Sequence, residues 1–148
     1  MIATINRAEI NRAETEIRQL IAAQTQAICD KDLDQILAHY APNIVIFDVK
    51  PPLVLKGFDV CRQMWETCLP YMPKMTGVEQ TEMTITVSGD LAVAHWLSRF
   101  EGVAADHPAA QLQMRMTAAC QRSETGWQIV HEHISIPMAF GDDDCATA

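Results

Sequence analysis

The hydrophobic pattern of this 148-residue chain changes period once, near its middle. Up to about residue 69, apolar side chains recur at three- and four-residue steps, and from residue 76 onward they alternate. A helix buries a stripe of period 3.6 and a strand buries a face of period 2, so helices come first and a sheet follows. Between Asn6 and Asp30, residues Ile10, Ala13, Ile17, Leu20, Ile21, Ala27 and Ile28 mark a long amphipathic helix. Leu33, Ile36, Leu37 and Tyr40 continue as a second, shorter helix until Ala41-Pro42-Asn43 stops it. Ile44-Val45-Ile46-Phe47-Asp48 reads as a strand that ends before Pro51-Pro52. Phe58, Cys61, Met64, Trp65, Cys68 and Leu69 then share one face of a third helix, bounded by Gly57 and Pro70.

Segments 76–88, 91–103, 111–122 and 126–136 predict four long strands, with turns at Ser88-Gly89-Asp90 and Ser123-Glu124-Thr125-Gly126. Three helices, a strand and a meander together predict a single α+β domain over residues 1–140. Its helices pack on the concave face of a curved, mostly antiparallel sheet. Both faces of the last strand carry apolar residues, Trp127 and Ile129 on one and Val130, Ile134 and Ile136 on the other. One face goes to the helices, and the second suggests a partner subunit, most simply in a homodimer.

The net charge of −8 removes whole classes of partner. Nucleic acids and anionic membrane surfaces are bound through Lys and Arg, and no basic run exists here. Three of the negative charges, Asp142, Asp143 and Asp144, fall in residues 141–148, which read as an acidic, disordered tail. The N-terminus lacks the unbroken apolar core of a signal peptide, and no segment reaches the length of a membrane span. Five cysteines, Cys29, Cys61, Cys68, Cys120 and Cys145, show no Cys-x-x-Cys spacing and read as reduced packing residues of a cytoplasmic protein.

Four stretches in order carry a family resemblance. They are Asp32-Leu33-Asp34, Tyr40-Ala41-Pro42-Asn43 running into Phe47-Asp48, Gly57, and the run Gly126-Trp127-Gln128-Ile129-Val130-His131-Glu132-His133. Over about residues 14–138 the chain resembles the SnoaL-like and ketosteroid isomerase-like branch of the nuclear transport factor-like superfamily. The last run also looks like the association domain of calcium/calmodulin-dependent kinases. The resemblance implies a cone-shaped cavity between helices and sheet, usually in a dimer, in proteins that are isomerases, cyclases, dehydratases or non-catalytic binding and assembly domains.

Asp48 is the leading candidate for catalysis. It follows an apolar strand, where partial desolvation makes a carboxylate a better base, and the resemblance places it at the proton-shuttling position. The plainer reading is a strand-end carboxylate that caps a turn or pairs with a base. The resemblance puts the isomerases' two oxyanion donors at Gln24 and near Thr117, which are not the expected phenol and carboxylic acid. Losing such donors weakens steroid isomerisation as the activity, at about 3 kcal/mol per donor.

On 91–103 the odd positions Val93, His95, Leu97 and Arg99 match cavity-facing positions of the family, as do Arg115 and Thr117 on the next strand. His95 is then a candidate proton relay, and Arg99, Arg115 and Thr117 candidate substrate contacts. The alternatives are a packing histidine, and arginines paired with Asp48, Glu101 or Glu132. Tyr40 and Trp65 are candidate aromatic walls from helix faces, or else core, while Met114 and Met116 read as packing. His131 and His133 share a strand face with zinc-ligand spacing, but no third ligand accompanies them, and no metal is expected.

These expectations converge on a cofactor-independent small-molecule enzyme. It would use Asp48 and His95 for acid/base chemistry on an apolar, carbonyl-containing substrate. The alternative is a non-catalytic dimeric module that binds a ligand or assembles.

Overall fold

A computed structural model describes residues 6–141. The expectation for the acidic tail falls almost wholly outside these residues. Helix α1 (Arg7–Cys29) starts where the Asn6 side chain accepts from the Ala8 and Glu9 amides at 3.1 and 3.2 Å. Its apolar stripe, Ala13, Ile17, Leu20 and Ile21, packs on Ile44, Ile46, Ala94, Ala118 and Ile129 from the sheet. Helix α2 (Leu33–Leu37) is capped by Asp32, and α3 (Phe58–Cys68) runs into a short 3-10 turn, Leu69–Tyr71.

The strands are β1 (Tyr40–Phe47), β2 (Leu55–Lys56), β3 (Gly77–Ser88), β4 (Leu91–Glu101), β5 (Met114–Ser123) and β6 (Gly126–Ser135). They form one curved, unclosed sheet in the order β2-β1-β6-β5-β4-β3. From β3 to β6 the strands are an antiparallel meander, and β1 joins it parallel to β6. The α+β architecture therefore agrees with the sequence, helices in the first half and a mostly antiparallel sheet behind them.

Two boundaries differ from expectation. The second helix stops at Leu37, and Tyr40 already belongs to β1, beside Ile129 of β6. Pro42 lies where the β1 register slips between Tyr40 and Val45, a place where a residue without an N–H is tolerated in a strand. The linker before β5 also holds a 3-10 turn, Pro108–Gln111, so β5 begins at Met114.

Irregularities in the ladders decide which side chains face the helices. Ala119 pairs with His131 and Cys120 with Ile129, so Val130 is an extra residue in β6. This bulge reverses the alternation, and Ile129 and Glu132 both point to the concave side. In β3 the register slips between Thr81 and Thr84 around Glu82, whose φ is 55°.

Gly57 fixes the start of α3. Its φ of 92° and ψ of 154° lie in a region open essentially to glycine alone, and its amide donates to the Ile44 carbonyl at 2.8 Å. An added Cβ would meet nothing within 4 Å, so the cost of Gly57→Ala is purely conformational. Urea denaturation should show a loss of about 1–3 kcal/mol. An unchanged midpoint would mean that α3 can start from an ordinary backbone geometry.

Candidate functional site

Between α1, α3 and the concave sheet lies a cavity of about 550 Å³. That volume suits a drug-sized ligand. Its wall is mainly apolar and rich in sulfur, with Met64 and Cys68 from α3 and Met114 and Met116 from β5. It reaches solvent beside Lys50 and Tyr71, both exposed.

One carboxyl group is buried in this wall. Glu132 is 6% exposed, and its Oε2 accepts from the Tyr40 hydroxyl at 3.0 Å. The Tyr40 oxygen in turn accepts from the Trp65 indole N–H at 3.1 Å. A relay thus runs from α3 through β1 to β6. Burial pushes the Glu132 carboxyl up to about 7, hydrogen bonds from Tyr40 and Gln24 oppose that rise, and the charge of Asp48 adds to it. Burial and the neighbouring Glu132 charge hold the Tyr40 phenol well above its ordinary range, so it remains a donor.

Asp48 also lines the cavity, directly after β1. Its Oδ1 accepts from the Val49 amide at 2.7 Å, and Lys50 Nζ stands 3.9 Å from Oδ2. The partner proposed by the plainer reading is therefore present, at a distance that leaves the carboxylate weakly held.

The structure brings Asp48 and Trp65 to the cavity, whereas Tyr40, delivered by a strand and not a helix, is buried behind the wall, where its hydroxyl meets the lining residues Glu132 and Trp65. It does not bring His95, Arg99, Arg115 or Thr117. On β4 the even residues Ala92, Ala94, Trp96 and Ser98 are buried, whereas His95 and Arg99 are exposed on the outer face. Arg99 pairs with Glu79 at 2.8 Å, and Arg115 Nε donates to Ser135 Oγ at 3.0 Å. Arg115 and Thr117 are likewise exposed, because Met114 and Met116 take the inward positions of β5. The expectation that these four residues wall the cavity is corrected by one residue of register. Polarity along β4 carried that signal, since its odd positions hold His95, Arg99 and Glu101.

Glu132 is the residue that sequence reasoning missed as a site group. Strict alternation in β6 would pair its face with Val130, and nothing in the composition marks the bulge. Outside the cavity, His131 Nδ1 meets the Val45 carbonyl at 2.8 Å and the Phe47 ring stands edge-on to both His131 and His133. No cluster of three His, Cys, Asp or Glu side chains suited to a metal exists among the described residues. Burial pushes the Cys61 and Cys120 thiols up to about 11 and about 12, with the Glu132 charge adding to both, so neither is a ready nucleophile.

A helical layer and a concave sheet around an apolar cavity with a buried acid define a small α+β cone protein. The family model of the SnoaL-like domain matches residues 17–139, and the chain belongs to that family, within the nuclear transport factor 2-like superfamily. The resemblance read from the sequence is thereby borne out.

A nuclear transport factor 2-like protein of unknown function from Pseudomonas putida KT2440 is 36% identical, with a TM-score of 0.78 over 90% of this chain and 93% of that one. A superfamily member from Salmonella enterica serovar Typhimurium LT2 shares 21% identity and a TM-score of 0.73, over 90% and 97% of the two chains. A protein provisionally named a ketosteroid isomerase, from Parabacteroides distasonis ATCC 8503, shares 15% identity and a TM-score of 0.66, over 80% and 85%. The last two show a common fold. Among curated proteins none matches.

The buried acid has a measurable consequence for stability. The folded chain keeps the Glu132 proton up to about pH 7, whereas an unfolded chain releases it near 4.5. Folding therefore takes up a proton between those values, and stability falls as pH rises through them, by roughly 3 kcal/mol in all. Glu132→Gln keeps an acceptor for Tyr40 and removes the titration. Urea titrations at pH 5 and pH 8 should show a smaller loss for the variant than for the parent chain. Equal losses would mean that Glu132 ionises in the folded state as it does in water.

Proposed function

We propose that this protein is a cofactor-independent enzyme that moves a proton on a small, largely apolar carbonyl compound held in the cavity. Glu132 is the acid/base group, Tyr40 positions it, and Asp48 is a second carboxylate on the same wall. The observation that carries this reading is a carboxyl, only 6% exposed and pushed up to about 7 by burial, in the wall of an apolar cavity large enough for a ligand. A general acid/base works best when its pKa lies near the working pH, because it then both takes and returns the proton. Two carboxyl groups in unlike surroundings can also divide the roles of acid and base. The position that the family resemblance gives to a phenol donor holds Gln24, and the phenol of Tyr40 of β1 donates to Glu132 from behind the cavity wall. His95, Arg99, Arg115 and Thr117 lie outside this scheme.

A probe with an exchangeable α-proton tests the chemistry without knowledge of the natural substrate. The full chain should accelerate hydrogen–deuterium exchange at the α-carbon of 2-tetralone, with a rate that rises as the Glu132 carboxylate forms toward pH 7. Glu132→Gln should lower the excess rate by about 10²–10⁴-fold. Binding of the ketone without accelerated exchange would overturn the catalytic reading and leave a ligand-binding module.

Partnership with a second copy of the chain is also part of the proposal. Phe47, Val93 and Leu97 are exposed apolar residues on the outer sheet face, at 39%, 40% and 37% exposure. A two-fold homodimer would cover them. Light scattering at micromolar concentration should give twice the monomer mass, and a monomer mass would remove the dimer. Free thiols at Cys29, Cys61, Cys68 and Cys120 support a reducing, cytoplasmic setting. No described helix is long and apolar enough to cross a membrane.

A further inference from the structure

Helix α1 ends in a Schellman motif, in which the Asp32 amide donates to the Ala27 carbonyl at 2.9 Å and the Lys31 amide to the Ile28 carbonyl at 3.1 Å. Lys31 therefore holds the left-handed position, with a φ of 56°, where glycine is the usual residue because a Cβ is unfavourable there. A lysine at this place costs backbone stability, and its side chain shows what it supplies instead. Although Asp30 and Asp32 flank it, its ammonium reaches away from both and donates to the Met72 carbonyl at 3.0 Å, 41 residues along the chain.

The bond falls on a segment with few other ties. Its apolar anchor is Leu69, buried with Ala27 and Ile36, against which Met72 is partly packed. At the far end the Thr76 amide rejoins the sheet by donating to the Glu101 carbonyl at 2.9 Å. Between these points Pro70 and Pro73 have no amide donor, the 3-10 turn is a single turn of poor hydrogen-bond geometry, and Tyr71 is 84% exposed. Among the described residues, Lys31 makes the one hydrogen bond that ties residues 70–75 to another element. Yet Tyr71, Met72 and Pro73 all line the cavity, at the end where it reaches solvent.

We propose that residues 70–75 are a gate over the cavity mouth, hinged between Leu69 and Thr76, and that Lys31 is its latch. The proposal rests on the cavity being a site that small molecules enter, and it adds the control of that entry. A single exposed hydrogen bond competes closely with water, so it holds the gate shut for most of the time and still lets it open. The latch also accounts for a lysine where the backbone favours glycine.

Cys68 reports on the gate, since it lines the cavity immediately before the hinge. Iodoacetamide and the bulkier monobromobimane both alkylate a thiolate, with a carbon–sulfur bond forming as the halide leaves. The ratio of their rates therefore cancels the ionisation of the thiol and reads access alone. The Cys68 peptide of the full chain is followed by mass spectrometry, which sets the other cysteines aside. Lys31→Met removes the latch, and Lys31→Gly removes it while suiting the left-handed backbone. Both should raise the bimane-to-iodoacetamide ratio about three- to tenfold, the worth of one hydrogen bond, and Lys31→Arg should stay near the parent value. Lys31→Gly should do so without lowering the urea midpoint, which separates a lost latch from a weakened helix end.

A ratio unchanged in both Lys31→Met and Lys31→Gly would overturn the gate. A rise in Lys31→Met alone would overturn the latch, because access would then follow the stability of the helix end. If iodoacetamide fails to reach Cys68 in every variant, the cavity is closed at this mouth and the gate falls. None of these readouts uses Glu132 or a ligand. A protein with the expected ratios and no exchange activity on 2-tetralone therefore keeps its gate and loses only the catalytic reading.

Discussion

Tyr40 and Glu132 have few partners in the cone other than each other, and their hydrogen bond ties together the two strands of the one parallel pair. Tyr40 enters at the start of β1, Glu132 lies on β6, and Trp65 locks the phenol from α3. Three elements distant in sequence meet at a single oxygen atom. Breaking the set would leave a phenol or a carboxyl buried without a partner, so the polar relay enforces the placement of α3 over the sheet as firmly as apolar packing does. The same burial that makes the relay structurally demanding brings the Glu132 carboxyl to about 7.

The rest of the cavity is consistent with that economy of polar groups. Gln80 donates to Thr25 at 3.0 Å, and Thr25 donates to the Ile21 carbonyl at 2.8 Å, so these polar lining residues are already occupied. The arginines that would have made the cavity attractive to anions stand on the outer face, where Arg99 is held by Glu79. Among the described residues that line the cone, Lys50 at the mouth is the single cation set against the overall charge of −8. What distinguishes the interior is its sulfur atoms and aromatic edges.

Much of the architecture was legible because it rests on periodicity. Helix α1 and strands β3 to β6 lie close to where their apolar spacing puts them, and Gly57 and Asp48 keep the places that the order of motifs implies. The site was only partly legible, and the failures share a physical origin. Facing in a sheet depends on counting residues by twos, and a bulge changes the count. Val130 in β6 turned Glu132 inward with no mark in the sequence. The β4 error was of another kind, since positions borrowed from the family outweighed a polarity pattern that already set His95 and Arg99 outside. Tyr40 was assigned to a helix because its spacing from Leu37 fits either structure, and only pairing with Ile129 decides between them.

The extra residue in β6 divides that strand into two halves that need not move together. Trp127 and Ile129 serve the helical layer, while Glu132 and Ile134 serve the cavity. Were the bulge ironed out without loss of a residue, the first half would keep its contacts and the second would turn over. His131 and His133 would then enter the cavity in place of the acid and its apolar neighbour. An imidazole pair would occupy the address now held by a carboxyl, on the same scaffold and from the same ten-residue strand. Descent within such a fold can thus exchange one titratable side chain for another by re-registering half a strand, without inventing a new residue.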